Sequence, residues 1–170
     1  MNYILFTLLF LFPSTKEIKS VKNFHKVSQE LYRSGQPQQK GMRELESMGI
    51  KTILNLRNSM DDKQEIKGTS LQQVRIPMRA KKIDFEDIRT ALIAIKNAEK
   101  PVLVHCLHGS DRTGAVCAAY RMVVQNWSKE DAINEFLDEQ YGYNQFWFPN
   151  ILTLLHDLDV ERLKQVVSIN

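Results

Sequence analysis

Only two of the 170 residues are cysteine, Cys106 and Cys117, and neither joins histidines or other thiols at metal-ligand spacing. That excludes a structural zinc site. One disulfide is the most the pair can form. Cys117 falls on the helix expected after the loop of Cys106, more than a turn beyond Arg112, where bridging geometry is poor. It reads as a small buried apolar residue. Excess charge is scarce too: 23 Lys and Arg against 20 Asp and Glu leave a net +3, too little for a broad nucleic-acid-binding surface. There is no internal repeat or low-complexity tract. The longest apolar run, residues 3–12, is too short to span a bilayer comfortably. What remains, 43% hydrophobic and 25% charged, is the mix of a globular protein, with length for one domain and a proper core.

What is present is one informative segment, His105-Cys106-Leu107-His108-Gly109-Ser110-Asp111-Arg112-Thr113-Gly114. Before it, Val102, Leu103 and Val104 are apolar without alternation and largely β-branched, which predicts a short, fully buried strand. Residues 113–124 carry Ala115, Ala118, Ala119, Met122 and Val123 and predict a buried helix. The segment thus joins the carboxyl end of a strand to a helix N-terminus, where open α/β sheets take ligands. Successive N–H groups of Leu107, His108, Gly109, Ser110, Asp111 and Arg112 can curl around an anion, aided by the helix dipole. Gly109 permits a turn that a side chain would obstruct. Cys106 lies at the base of that cradle. A thiolate is the reactive form of cysteine, and a helix N-terminus beside an arginine favours it. Arg112, six positions on, has the planar fork that suits two oxygens of a phosphoryl group. The implied chemistry is attack of Cys106 on phosphorus, then release of phosphate by water. Arg112 and the loop amides hold the equatorial oxygens. Thr113 is placed to hydrogen-bond the sulfur, and His105 to orient the loop. If Cys106 were merely a buried hydrophobe, Gly109 and the Arg112 spacing would have no reason.

These residues carry a resemblance. His105-Cys106-x-x-Gly109-x-x-Arg112-Thr113-Gly114 resembles the signature of the cysteine-dependent protein tyrosine and dual-specificity phosphatases, and the small size suits the dual-specificity branch. Leu31-Tyr32-Arg33-Ser34-Gly35-Gln36-Pro37, Gly49-Ile50-Lys51-Thr52-Ile53-Leu54-Asn55-Leu56-Arg57 and Asn126-Trp127-Ser128 look like the bacterial exported members of that branch. The likeness covers roughly residues 21–140. It implies a single-domain α/β phosphatase fold, with a central, largely parallel sheet flanked by helices. It also implies phosphate monoester hydrolysis without metal or cofactor.

In that family the leaving group takes its proton from an acid on a separate loop upstream of the cysteine. Asp84 is the only carboxylate in residues 76–84, although it lies closer to the cysteine than the family's acid usually does, and Arg79 falls nearer the usual place. Asp84 also reads as a helix N-cap: Phe85, Ile88, Leu92 and Ile95 follow at helical spacing, and Asp87 completes a capping box. Asp111, inside the loop, is a second candidate for the acid, with a competing role in tying the loop down. Asp84 is the favoured assignment.

Residues 3–12 fit the apolar region of a signal peptide, ended by Pro13-Ser14-Thr15. No Lys or Arg precedes them, and no clean small-x-small site follows, with Ser14 and Ser20 as candidate ends. An uncleaved anchor or an apolar segment packed on the domain are the competing readings. The expected organisation is a leader at residues 1–20 and a catalytic domain at residues 21–170 of an exported, periplasmic protein. The alternatives are a cytoplasmic protein or one anchored by the leader.

Within the domain, residues 24–33 predict a strand-bearing entry and Gly35-Gln36-Pro37 a turn. Met42, Leu45 and Met48 mark a short helix ended by Gly49. Ile53, Leu54 and Leu56 mark a strand. Residues 61–68 are a polar connection with room for one helical turn. Val74 and Ile76 mark a strand ended by Pro77, and residues 85–98 a helix. Ser128 caps the next helix, with Asp131 at its third position and Ile133, Phe136 and Leu137 on its buried face. A last helical segment carries Leu152, Leu155, Leu158 and Leu163. Strands alternating with helices imply a layered α/β fold.

The expected partner is a phosphorylated protein or a phosphorylated small molecule. Arg79, Lys81 and Lys82, with His108 and Arg57, suggest a basic rim that favours inositol phosphates or phosphoinositides, against a plain solvated charge run. No added recognition loop is evident, so a shallow pocket open to phosphoserine and phosphothreonine as well as phosphotyrosine is expected. Tyr141, Tyr143, Phe146, Trp147 and Phe148 read by default as core packing between the last helices. A sulfurtransferase and a catalytically dead phosphate-binding module are the distant alternatives. The first has no need of Arg112; the second is disfavoured by the presence of both Cys106 and Arg112.

Overall fold

Apolar residues without alternation build the centre of a five-stranded sheet in this computed structural model, which describes residues 18–169; the leader reading falls on residues 1–17, outside the described ones, and on 18–20. Strand β5 (Val102–His105) is buried at every position. It lies between β2 (Leu31–Ser34) and β3 (Thr52–Arg57). Along it Val102 and Val104 face one core and Leu103 the other, as a strand covered on both faces must. Helix α1 (Gln39–Ser47) covers one face through Met42 and Leu45, joined by Ile18 and Val21. The other face carries α2 (Phe85–Asn97), α3 (Asp111–Val123), α4 (Lys129–Leu137), α5 (Pro149–Asp157) and α6 (Val160–Ile169).

The strand order is β1-β2-β5-β3-β4, with β1 (His25–Lys26) antiparallel and the other pairings parallel. The largely parallel sheet is as expected. One strand limit is not. β4 (Gln72–Met78) runs through Pro77 instead of ending there. It is the edge strand, where a missing N–H need cost no ladder bond. The register sets Ser34, His105 and Asn55 side by side at the carboxyl ends of β2, β5 and β3. Three polar residues therefore stand next to one another just where the loop of Cys106 begins.

Helix α3 starts at Asp111, two residues before the expected limit, so Arg112 is within its first turn. Gly114 lets α4 approach: a Cβ there would come within 2.8 Å of the Phe136 ring. The last helical segment is two helices, broken at Leu158 and Asp159, and residues 61–68 form turns without a helix. Ser128 caps α4 as expected, its Oγ accepting the Asp131 N–H at 3.0 Å. Trp127 lies on the Arg121 guanidinium, 4.3 Å from its ring centre. Arg121 bonds Glu135 at 2.5 and 2.8 Å and the Val27 carbonyl at 2.8 Å. That gives Asn126-Trp127-Ser128 a physical reason: it closes α3 over a partly buried ion pair.

Phe136 is fully buried beside Gly114 and packs on the tilted Tyr143 ring with ring centres 4.2 Å apart. Phe136→Ala should lower the unfolding free energy by about 3–5 kcal/mol, read from the midpoint of urea denaturation at unchanged slope.

Candidate active site

Cys106 leaves the end of β5 and is buried, its Sγ accepting the Gly109 N–H at 3.3 Å. Gly109 has φ +80°. A Cβ at 109 would meet Gly35 N and Ser34 C at 2.5 Å, so both conformation and space demand glycine. Among the described residues, the N–H groups of Leu107, His108 and Ser110 have no protein acceptor. Arg112 Nη1 donates to the Leu56 and Met78 carbonyls at 3.4 and 3.3 Å, at the ends of β3 and β4. Its Nε is buried with no hydrogen-bond partner. The guanidinium is thus fixed along one side and offers an Nε edge to an anion, the bidentate geometry that arginine gives to phosphoryl oxygens. Together these groups place a set of donors in the loop and first helical turn that follow one buried sulfur.

His105 is fully buried behind the loop. Its Nδ1 lies 3.0 Å from the Cys106 carbonyl and its Nε2 2.8 Å from Asp62 Oδ2. Asp62 also accepts from Gln36 Nε2 at 2.8 Å. Burial pushes the Asp62 carboxyl up, but the hydrogen bond and charge of His105, with bonds from Gln36 and Asn55, outweigh it and hold Asp62 below the ordinary aspartate value. Gln36 in turn donates its N–H to the Leu107 carbonyl at 3.0 Å and accepts from Arg57 Nη1 at 2.6 Å. Arg33 Nη2 donates to the Gly109 carbonyl at 2.9 Å, and Asn23 Nδ2 to the His108 carbonyl at 3.1 Å. Asp62, Gln36 and Arg33 belong to no catalytic motif. The sequence signal for Gln36 and Arg33 is their place in the segment Leu31-Tyr32-Arg33-Ser34-Gly35-Gln36-Pro37, which carries part of the family resemblance. Asp62 sits in a polar stretch and has no such signal.

The remaining candidates divide. Asp84 is exposed at the N-cap of α2, where its Oδ1 accepts the Asp87 N–H at 3.0 Å and its own N–H meets Asp87 Oδ2 at 3.4 Å. Asp111 is 7% exposed, and its Oδ1 accepts the Asn144 N–H at 3.2 Å. Burial raises its carboxyl above the ordinary value, against the opposing Asn144 bond and the charges of His108 and Arg112. Thr113 Oγ1 is buried without a partner, so the expected bond to sulfur is not formed. Arg79, Lys81 and Lys82 are exposed in a 3-10 turn that follows the Met78 carbonyl held by Arg112, and His108 is exposed on the loop itself. Arg57 is drawn inward to Gln36 instead of joining a rim. The aromatic cluster corrects the core-packing expectation. Tyr143 and Phe148 pack on the core and Tyr141 lies under Arg33, but Phe146 is 84% and Trp147 57% exposed. Pro149 starts α5 directly after them, leaving no helix to cover them. Trp147 instead stands 5.9 Å from Lys81 Nζ.

Residues 31–150 match the family model described as dual specificity phosphatase, catalytic domain. The chain is 33% identical over 122 residues to the dual specificity protein phosphatase TpbA of Pseudomonas aeruginosa, covering 71% of this chain and 56% of that protein. It is 30% identical over 169 residues to the inositol diphosphatase SIW14 of Saccharomyces cerevisiae, covering 91% of this chain and 57% of that one. It thus spans little more than half the length of these relatives. A crystal structure of P. aeruginosa TpbA in complex with phosphotyrosine superposes with TM-score 0.79 at 27% identity, over 87% of this chain and 91% of that one.

Asp62 offers a test of the support beneath the loop. Its depressed folded value means that it adds stability above the unfolded value of about 3.9, lost as the pH falls through the folded value. Asp62→Asn should therefore cost about 1.5–3 kcal/mol at pH 7, with the gap to the parent narrower at pH 3. Urea unfolding at the two pH values measures it.

Proposed function

The chain belongs to the dual specificity phosphatase family, and from that premise we propose that it hydrolyses phosphate monoesters through a cysteinyl phosphate on Cys106, without a metal ion. The observation that carries this is one short loop that holds the buried Cys106 sulfur, N–H groups without a protein acceptor and the partner-free Arg112 Nε. The thiolate attacks phosphorus; the P–S bond forms as the bond to the ester oxygen breaks, and that oxygen takes a proton from an acid. Water then attacks phosphorus, the P–S bond breaks, and the carboxylate recovers the proton from water. Arg112 and the loop amides hold the three equatorial oxygens in both steps.

Of the two acid candidates, Asp111 fits better than Asp84. Asp84 is exposed and spends its carboxylate on the cap of α2. Asp111 stands in the loop, and burial keeps its proton on to higher pH, as a general acid requires. Phosphorylated tyrosine, serine and threonine in proteins are the proposed substrates. The likeness to a dual specificity phosphatase and to its phosphotyrosine complex supports this. Inositol phosphates are the second reading, supported by the inositol diphosphatase relative and the exposed Arg79, Lys81 and Lys82. Export rests on the apolar residues 3–12.

Cys106→Ser should abolish turnover while still binding phosphopeptide, and chelator should leave the parent rate unchanged; a strict metal requirement would sink the mechanism. Asp111→Asn should lower kcat on phenyl phosphate, a poor leaving group, by about 10²-fold or more, and p-nitrophenyl phosphate turnover far less. Should Asp84→Asn show that pattern instead, the acid is Asp84. The folded chain holds the Asp111 proton more tightly than the unfolded chain, so this group lowers stability as pH rises above about 3.9. Asp111→Asn should therefore unfold at higher urea than the parent at pH 7. A comparison of kcat/KM on the three phosphopeptides and on inositol phosphates separates the substrate classes.

A further inference from the structure

Arg33 is 2% exposed, yet no described carboxylate pairs with it. Two acids share its neighbourhood. Glu135 is held by Arg121 at 2.5 and 2.8 Å, and Asp138 accepts from the Gln140 N–H and Nε2 at 3.0 and 2.9 Å. Instead the guanidinium lies 4.0 Å from the Tyr141 ring centre, and Nη2 donates to the Gly109 carbonyl at 2.9 Å. Its Nε is buried with no partner. A buried cation without an acid is costly, and a purely structural role would be filled more cheaply by an apolar residue. Gly109 explains the position. Its carbonyl takes the Arg33 proton behind the loop, while its N–H points forward to the Cys106 sulfur at 3.3 Å. Arg33 thus holds the residue whose N–H bonds the nucleophile, and brings a full positive charge to the loop by contacts separate from those of Arg112. The other ionisable groups near it are His25 on β1, Cys117 on α3 and Tyr141 itself, none of which brings a negative charge at neutral pH.

We propose that Arg33 is a positioning residue for the reaction, fixing the Gly109 peptide and supplying the buried charge against which the Cys106 thiolate and the phosphoryl oxygens are held. The counter-charge that the described residues do not supply is then the reacting anion itself. The assignment rests on Cys106 as nucleophile, so its test must tell the two apart.

The test compares the parent with Arg33→Met and Arg33→Lys in two measurements. One is the rate of iodoacetamide alkylation at Cys106 at pH 6 and pH 9, read by peptide mass spectrometry. Cys117, whose thiol burial pushes up to about 11, serves as the slow internal reference. The other is inhibition of p-nitrophenyl phosphate turnover by inorganic phosphate. Arg33→Met should lose about tenfold or more in alkylation at pH 6 but little at pH 9, and bind phosphate about tenfold more weakly; Arg33→Lys, which keeps the charge, should stay within about threefold on both. A merely structural Arg33 predicts a lower urea midpoint with phosphate inhibition and the pH 6 to pH 9 ratio unmoved, and that result overturns the proposal. So does Arg33→Lys being as impaired as Arg33→Met. If Arg33→Met does not fold, Arg33→Gln carries the same expectation, and failure of both to fold assigns Arg33 to the framework alone. Turnover surviving in Cys106→Ser would remove the nucleophile itself, whatever the Arg33 variants show.

Discussion

The catalytic loop can close only because residue 109 has no side chain. At φ +80° the chain turns back until its α-carbon lies against the backbone of Ser34 and Gly35, with no room for a Cβ. That contact aims the Gly109 N–H at the sulfur and its carbonyl at Arg33. It also brings the loop against the turn after β2, so that Gln36 can bond the Leu107 carbonyl with its N–H and Asp62 with its side chain. Through Asp62 the same contact reaches His105, and through Arg57 it reaches the end of β3. A cradle of backbone donors is useful only if its shape survives the arrival of a doubly charged anion. Here that shape is set by a steric contact in front and a hydrogen-bonded frame behind, with little left to the loop itself.

The sequence made the chemistry legible because the chemistry is local. Cys106, Gly109 and Arg112 sit within seven residues of one another, and strand, loop and helix follow from the apolar pattern on either side. The capping residues Asp84 and Ser128 were equally readable, since a cap is made within one helical turn. What could not be read was set by distance along the chain. Asp62 lies 43 residues from His105 and looks, in sequence, like one acid in a polar connection. Pro77 failed as a strand terminator because whether a strand is at the edge depends on sheet order, which no local pattern states. Arg33 and Gln36 were visible only inside a segment that resembled a family. Their function becomes clear once the register sets the end of β2 beside the end of β5. The exposed Phe146 and Trp147 mislead in the opposite direction, because aromatic composition alone does not say which rings find a partner.

One segment, residues 138–148, joins the loop to its surroundings, and it carries no motif at all. Tyr141 lies under Arg33 and gives its carbonyl to Asn23, which also holds the His108 carbonyl. Asn144 donates its N–H to Asp111, and Trp147 stands by Lys81 on the turn that follows the Met78 carbonyl bonded by Arg112. The same few residues therefore touch the buried Arg33, the acid candidate Asp111 and the exposed Lys81. Two of these, Arg33 and Asp111, are groups whose burial works against stability: a cation without an acid and a carboxyl kept from ionising. A fold selected for stability alone would replace both with apolar side chains. Both stand against the loop, Arg33 on the Gly109 carbonyl and Asp111 next to Arg112. The division of labour is then physical. The ten-residue loop holds the sulfur and its donors, and a segment distant in sequence and without signature residues contacts Arg33, Asp111 and Lys81 around it.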